Sequence, residues 1–233
     1  MSEWRINHLR DSAESVHSRE LPAERAIWRA SINESAIVLG SKQNSEIVNQ
    51  QACDQDGVAV VRRRSGGGVV YLEVDQHLWI DIVIPRDDKL WSDDVGQAMF
   101  WVGELWADAL AKCEIADRDQ LRVHRGGLER SNFSDLICFA GLGPGEVTLH
   151  GEKVVGISQR RTREMARFQC VLHQRWSPDA YRKYLVLEKL AESSNQPNMP
   201  YKSISNELDK LGVSKSSSLN QIAEAVTELS AAL

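Results

Sequence analysis

The sequence predicts an α+β fold, a mostly antiparallel or mixed sheet flanked by helices. Three observations carry that expectation. Two clusters of short strand-like runs, at residues 58–85 and 136–172, are rich in apolar residues, Val, Ile and Leu chief among them, and are punctuated by glycine turns. Between them a helical period runs from Asp93 to Cys113, and beyond Pro178 the chain again reads as helix. A length of 233 residues suffices for one good core with a small appendage. We expect a main domain over residues 1–192, then a linker and small helical tail over 193–233.

Taken in order, a polar lead gives way at Pro22, which is placed to open a helix running through Trp28. Residues 36–40 form a short apolar run closed by Gly40, read as a buried strand, and a second helix is expected from Ser45. Residues 58–62, 69–72 and 78–84 are three strand-like runs around the Gly66–Gly68 turn, expected to make a compact antiparallel segment. Val95, Met99, Val102, Trp106, Ala109 and Cys113 recur at steps of four and three, so they share a helical face that should lie on the sheet. Residues 136–139, 146–149, 154–158 and 168–172 read as strands of a second sheet section, with His150 and Gly151 as a hairpin turn. The Ser/Asn/Gln/Pro stretch at 193–200 reads as linker. In the tail, Ile222, Val226, Leu229 and Leu233 form an apolar stripe behind a Ser218/Gln221 capping box.

Composition narrows the function classes. A net charge of -5 offers no general attraction to nucleic acid or to an anionic membrane. With 42% hydrophobic residues the chain is too apolar for disorder. Cys53, Cys113, Cys138 and Cys170 are widely spaced without a CxxC pair, which indicates neither a zinc site nor a disulfide framework and fits reduced thiols. None of His77, His124, His150 and His173 has metal-ligand spacing, so no metal site is expected. The first residues lack the apolar core of a signal peptide, and the apolar run at 78–85 is short and interrupted by Asp81. The expectation is a cytoplasmic protein with no nucleic-acid or membrane partner.

Two segments carry chemistry. In Arg62-Arg-Arg-Ser-Gly-Gly-Gly-Val-Val-Tyr71, three successive glycines let backbone approach a ligand and aim N–H groups at anionic oxygens, while the arginines add charge beside them. In Gly151-Glu-Lys-Val-Val-Gly-Ile-Ser158, Lys153 starts a strand in which Gly156 again suits close approach. An ammonium there can hold a carbonyl or phosphate oxygen during acyl transfer. Each segment alone also fits an ordinary turn with solvated charges.

Together and in this order, the two segments resemble the lipoate-protein ligase and octanoyltransferase branch of the biotin/lipoate A/B protein ligase superfamily. Its members carry an Arg-x-Ser-Gly-Gly-Gly-type loop and a later Gly-x-Lys-x-x-Gly-Ser strand. The likeness spans roughly residues 20–185. It implies a class II aminoacyl-tRNA synthetase/biotin synthetase-like fold. It also implies that Arg63, Ser65, Gly66, Gly67 and Gly68 line an acyl and phosphate channel. Lys153 would contact the acyl carbonyl and adenylate, with Glu146, Gly156 and Ser158 completing the pocket. Two positions depart from the pattern: Leu72 stands where family ligases have histidine, and Glu146 where they have aspartate. Cys138, in Asp135-Leu-Ile-Cys-Phe139, resembles the nucleophile of one group of octanoyltransferases, although an apolar run around a cysteine equally fits an inert core residue.

The resemblance implies a lipoate-protein ligase that attaches lipoate through lipoyl-AMP to a lysine of a lipoyl domain, using ATP and Mg2+. The alternative is an octanoyltransferase that needs neither and moves octanoyl from acyl carrier protein through a Cys138 thioester. A third reading is a non-catalytic protein that binds lipoate or lipoyl domains, which Leu72 would permit. The implied partners are the lipoyl domain of a 2-oxoacid dehydrogenase or the glycine cleavage H protein, acyl carrier protein in the second reading, and a separate accessory protein. Biotin is disfavoured, since no Gly-Arg-Gly-Arg loop is found. Arg160, Arg161, Arg163 and Arg167 form either a basic rim for an acidic partner or triphosphate, or a solvated face.

Overall fold

The strand His77–Pro85 is buried along all but its last residue, which requires cover on both faces of its sheet. The computed structural model describes residues 3–192, 200–212 and 218–233. In chain order the strands are β1 (Arg5–Asp11), β2 (Ala26–Ile32), β3 (Ala36–Leu39), β4 (Ala59–Arg62), β5 (Val70–Leu72), β6 (His77–Pro85), β7 (Leu121–Val123), β8 (Val147–Leu149), β9 (Glu152–Arg161) and β10 (Met165–His173). The helices are α1 (Ala13–Ser18), α2 (Gln50–Asp56), α3 (Phe100–Lys112), α4 (Pro178–Tyr184), α5 (Leu187–Glu192), α6 (Tyr201–Leu208) and α7 (Leu219–Ser230). Seven strands form the main sheet in the order β1-β2-β6-β10-β9-β8-β7, and β4-β3-β5 form a small second sheet. Only β1 with β2 and β3 with β4 run parallel, so the expected mixed sheet flanked by helices is the architecture observed.

The two-residue alternation of a strand decides what each face meets. Ile80, Ile82 and Ile84 of β6, with Phe168, Cys170 and Leu172 of β10, pack under Val102, Trp106 and Leu110 of α3 and Ile222 and Val226 of α7. The helix does lie on the sheet as its spacing predicts, although Val95 precedes it and is exposed. On the opposite face Trp79 meets Val38, Val70 and Leu72 of the small sheet and Ala13 and Val16 of α1. A third cluster joins Tyr71, Ile137, Phe139, Trp176 and Tyr181 to Leu190 of α5 and Ile204 of α6. Residues 193–199, where a linker is expected, lie outside the described residues. Ser218 stands at the N-cap of α7 without a side-chain capping hydrogen bond, so the expected capping box is not formed.

Several local expectations are overturned by pairing. Residues 26–32 are strand, not the helix expected from Pro22, because they gain β1 on one side and β6 on the other, and cross-strand packing outweighs local preference. Pro22 lies in a turn whose carbonyl accepts the Glu24 N–H at 2.9 Å. The helix is α1, within the supposed polar lead, capped by the Ser12 side chain accepting from the Ser15 N–H. From Ser45 comes a 3-10 turn, Ser45–Ile47, before α2. Residues 58–85 are not one antiparallel unit, since β4 and β5 both pair with β3 and β6 belongs to the main sheet. The later strands β7 to β10 complete that same sheet. Residues 136–139 make a single bridge, Val69 to Ile137, and a 3-10 turn at Cys138–Ala140 in place of a strand.

Asp81 interrupts the apolar run of β6 because it has a buried partner. Arg167 reaches it from β10 at 2.5 Å, with both side chains 1% exposed. The guanidinium also donates to the carbonyls of Val16 (3.0 Å) and Arg19 (2.8 Å), which closes the C-terminal end of α1 against the sheet. Arg167 is therefore a core residue and no part of a basic rim.

Candidate active site

The β8–β9 hairpin places the two charged residues of the second motif. Its turn needs positive φ at both central residues, and His150 (φ 54°) and Gly151 (φ 88°) supply it as expected. Glu146 precedes β8 and Lys153 is the second residue of β9, so the hairpin brings together side chains seven positions apart. The Lys153 ammonium donates to both Glu146 oxygens, at 3.0 and 3.2 Å, and to the Cys138 carbonyl at 2.7 Å. It also lies 5.1 Å from the centroid of the Phe139 ring. Both side chains are buried, and the carboxylate is completed by the N–H groups of Gly143 (2.7 Å) and Ile157 (3.1 Å). A buried ion pair is held only where such additional hydrogen bonds repay its desolvation.

The glycine loop approaches the same place from the other sheet. A Cβ on Gly68 would fall 2.3 Å from the Ile137 nitrogen and 2.5 Å from the Leu136 carbonyl carbon. Only glycine permits that contact. Directly after it, the Val69 N–H donates to the Leu136 carbonyl (2.8 Å) and the Cys138 N–H to the Val69 carbonyl (3.1 Å). The Cys138 peptide thus bridges the two motifs: its N–H is tied to the residue after Gly68, and its carbonyl to Lys153. The Cys138 side chain packs partly buried between the second and third apolar clusters.

The remaining expected residues take supporting positions. Arg63 braces the loop, donating to the carbonyls of Gly66 (2.9 Å) and Gly68 (2.8 Å). The Ser65 carbonyl accepts from the Ser41 N–H at 3.0 Å, while Gly66 and Gly67 are exposed. A Cβ on Gly156 would lie 3.6 Å from the Phe139 ring and 3.8 Å from Glu146 Oε1, an ordinary contact, so its backbone forms the wall behind the ion pair. Ser158, two residues on, pairs with Gln169 of β10. Leu72 packs with Trp79 in the apolar layer under the small sheet.

Three features escaped the sequence reading. Phe139 faces the ammonium, a role that its place after Cys138 in the sequence does not mark. His173 lies against Phe139, with ring centroids 4.8 Å apart, and pairs across the sheet with His77. Burial, with His77 and Lys153 nearby, pushes the His173 imidazole down to about 3, so it is neutral. Glu20 holds both Arg64 and Arg160. No local pattern marks any of these, because each depends on which strands become neighbours. Among the described residues no group of three or more His, Cys, Asp or Glu side chains is arranged to hold a metal ion, and no helix is long and apolar enough to cross a membrane.

Comparison with known proteins gives this geometry a context. The sequence model of the lipoyl protein ligase A/B catalytic domain matches residues 13–229. The chain is 46% identical over 54 residues to lipoate--protein ligase 1 of Staphylococcus aureus; the match covers 23% of this chain and 16% of that protein, well under two thirds of its length. Its fold is similar to that of a bipartite lipoate protein ligase studied with its E2 lipoyl domain from Thermoplasma acidophilum, with a TM-score of 0.68 at 13% identity over 98% of this chain and 82% of the other. It is also similar to a lipoate-protein ligase A bound with ATP, with a TM-score of 0.59 at 13% identity over 98% and 94%.

Proposed function

The chain belongs to the lipoyl protein ligase A/B catalytic domain family, and from that membership we propose that it attaches lipoate to a lysine of a lipoyl domain through lipoyl-AMP. One observation carries the reading: the Lys153 ammonium is fixed by Glu146 in a buried setting, and its remaining hydrogen bond goes to the Cys138 carbonyl beside the glycine loop. A substrate oxygen that takes the place of that carbonyl meets a positioned positive charge in surroundings of low dielectric. The ATP-bound and lipoyl-domain-associated neighbours support the same chemistry.

In the first step a lipoate carboxylate oxygen attacks the α-phosphorus of ATP and pyrophosphate leaves. In the second, a neutral lysine amine of the lipoyl domain attacks the acyl carbon, AMP leaves with the bonding pair, and the amine proton passes to solvent. Lys153 stabilises the oxygen charge that builds in each step. The backbone around Gly66 to Gly68 admits the phosphates, and Arg63 keeps that loop in shape. A Mg2+ ion accompanying ATP would ride on the nucleotide's own phosphates, as it commonly does. The acceptor is the lipoyl domain of a 2-oxoacid dehydrogenase or the glycine cleavage H protein, with or without an accessory polypeptide.

A second reading is favoured by one contact. Lys153 donates to the Cys138 carbonyl, which sets the Cys138 residue beside the buried ammonium, as an octanoyl transfer from acyl carrier protein through a Cys138 thioester would use. The test offers an apo lipoyl domain lipoate with ATP in one tube and octanoyl-acyl carrier protein in another, and follows its mass. We expect ATP-dependent lipoyl gain that survives Cys138→Ser and is lost in Lys153→Ala. Gain only from the carrier, lost in Cys138→Ser, would establish the transferase. No gain in either tube leaves a non-catalytic binder.

A further inference from the structure

Beside its oxygen partners, the Lys153 ammonium lies over the Phe139 ring, 5.1 Å from its centroid. A ring attracts a cation only while it keeps its place beneath it. Phe139 belongs to the 3-10 turn Cys138–Ala140, too short a piece of backbone to fix a large side chain by itself. Its neighbours do that. His173 makes a T-shaped contact with it, centroids 4.8 Å apart, and Trp176 lies 5.5 Å away. The indole is held in turn from the C-terminal segment: its N–H donates to the carbonyl of Leu208, the last residue of α6, at 2.8 Å. Four residues on, Gly212 takes φ 68°, and a Cβ there would fall 2.5 Å from the indole, so the chain closes over the ring where only glycine fits.

We propose that Trp176 is a positioning residue for Lys153: seated by Leu208 and Gly212, it holds the Phe139 ring under the ammonium, so the C-terminal segment sets the placement of that charge. Its bearing on catalysis rests on the ligase reading of this site, whereas its hold on the ammonium does not. A charge aimed at a transition state must be held to about 0.5 Å, which needs neighbours whose own rotamers are locked. Both rings are locked by burial, Phe139 being 5% and Trp176 8% exposed. Trp176 also packs on Tyr181 at 5.0 Å, whose hydroxyl accepts the Tyr71 N–H at 3.0 Å, so the indole is fixed against β5 as well. His173, on the Phe139 ring, is kept neutral by burial, so its imidazole does not compete with the ammonium for the ring.

Acetic anhydride labelling of the folded full chain tests this without requiring catalysis, read at Lys153 by peptide mass spectrometry against exposed Lys42. We expect Phe139→Leu to raise Lys153 labelling by about threefold or more, the scale of a desolvated contact between cation and ring. Trp176→Leu should do the same, and so should Gly212→Ala, the milder change if Trp176→Leu does not fold. Trp176→Phe keeps a ring beside Phe139 and should stay within about twofold of the parent. With Phe139→Leu in place, Gly212→Ala should add nothing, because it acts through that ring, whereas general loosening would add to it. In the lipoylation assay Gly212→Ala should lower kcat by about tenfold and move KM for lipoate by less than about twofold, since a displaced charge costs most where oxygen charge develops. Parent-level labelling in Gly212→Ala, a further rise on top of Phe139→Leu, or Trp176→Phe labelling as strongly as Phe139→Leu would each overturn the positioning role. Labelling as expected with no ATP-dependent lipoylation keeps the hold on the ammonium and rejects the ligase, whereas active ligase with flat labelling rejects the positioning role alone.

Discussion

Lys153 and Glu146 form an ion pair at 3.0 Å with side chains 4% and 7% exposed, and the Glu146 carboxylate accepts four hydrogen bonds, two from the ammonium and one each from the Gly143 and Ile157 N–H groups. The pair sits where two sheets meet, so it ties the β8–β9 hairpin to the peptide that touches the glycine loop. Its burial makes it costly to break from one side only.

Glu146→Ala should therefore destabilise the protein by about 3–5 kcal/mol, the usual cost of leaving one buried charge without its partner. The double replacement Glu146→Leu with Lys153→Met should recover most of that loss while remaining unable to transfer an acyl group. Urea unfolding of the three proteins checks it. Equal stability of single and double variants would mean that the pair is not coupled.

The Asp81–Arg167 pair allows a second cycle. Arg167→Met leaves the buried Asp81 without its charged partner, though it keeps the Trp79 indole bond at 2.9 Å, and releases the carbonyls of Val16 and Arg19, so a loss of about 3–5 kcal/mol is expected. Adding Asp81→Leu should restore part but not all of it, since the carbonyls stay unpaired. Complete recovery in urea would show that closing α1 contributes nothing.

Gly68→Ala should destabilise by about 1–3 kcal/mol or more, because its Cβ meets backbone atoms that cannot move aside. Gly66→Ala meets nothing within 4 Å and should leave the melting temperature unchanged. Thermal unfolding of both variants decides whether the loop is pinned at its last glycine.

Stability should fall as pH drops below about 6.5. Burial pushes both His17 and His173 down to about 3 and lowers His77 as well. Between the ordinary histidine value and those lowered values the unfolded chain binds more protons than the folded one, so stability rises with pH there and is lost as pH falls. Each such histidine contributes up to about 1.4 kcal/mol per pH unit. Urea midpoints between pH 5 and 6.5, before the carboxylates titrate, should show the slope, and His173→Phe should reduce it by about one proton. An unchanged slope would mean that His173 is charged or exposed.

The main periodic features were legible from the residues themselves. The α3 stripe, the strands of residues 78–84 and 168–172, and the His150–Gly151 turn follow from local spacing and turn chemistry. So does the order of the glycine loop and Lys153, which marks the family. What failed was local preference overruled by neighbours. Residues 26–32 became strand because β1 and β6 flank them, and residues 136–139 lost strand form because Gly68 packs against their backbone.

Alternation and motif order, both properties of nearby residues, thus determined the fold class and the identity of Lys153, Glu146 and the triple glycine as candidates. Tertiary structure alone decided that Cys138 presents its carbonyl to Lys153, that Arg167 is interior, and that Glu20 spans Arg64 and Arg160. Those contacts join residues 15 to 140 positions apart. A charged side chain's role depends on which partner lies within about 3–4 Å, because attraction falls with distance and with solvent screening. Sequence spacing does not carry that distance until the strands have paired.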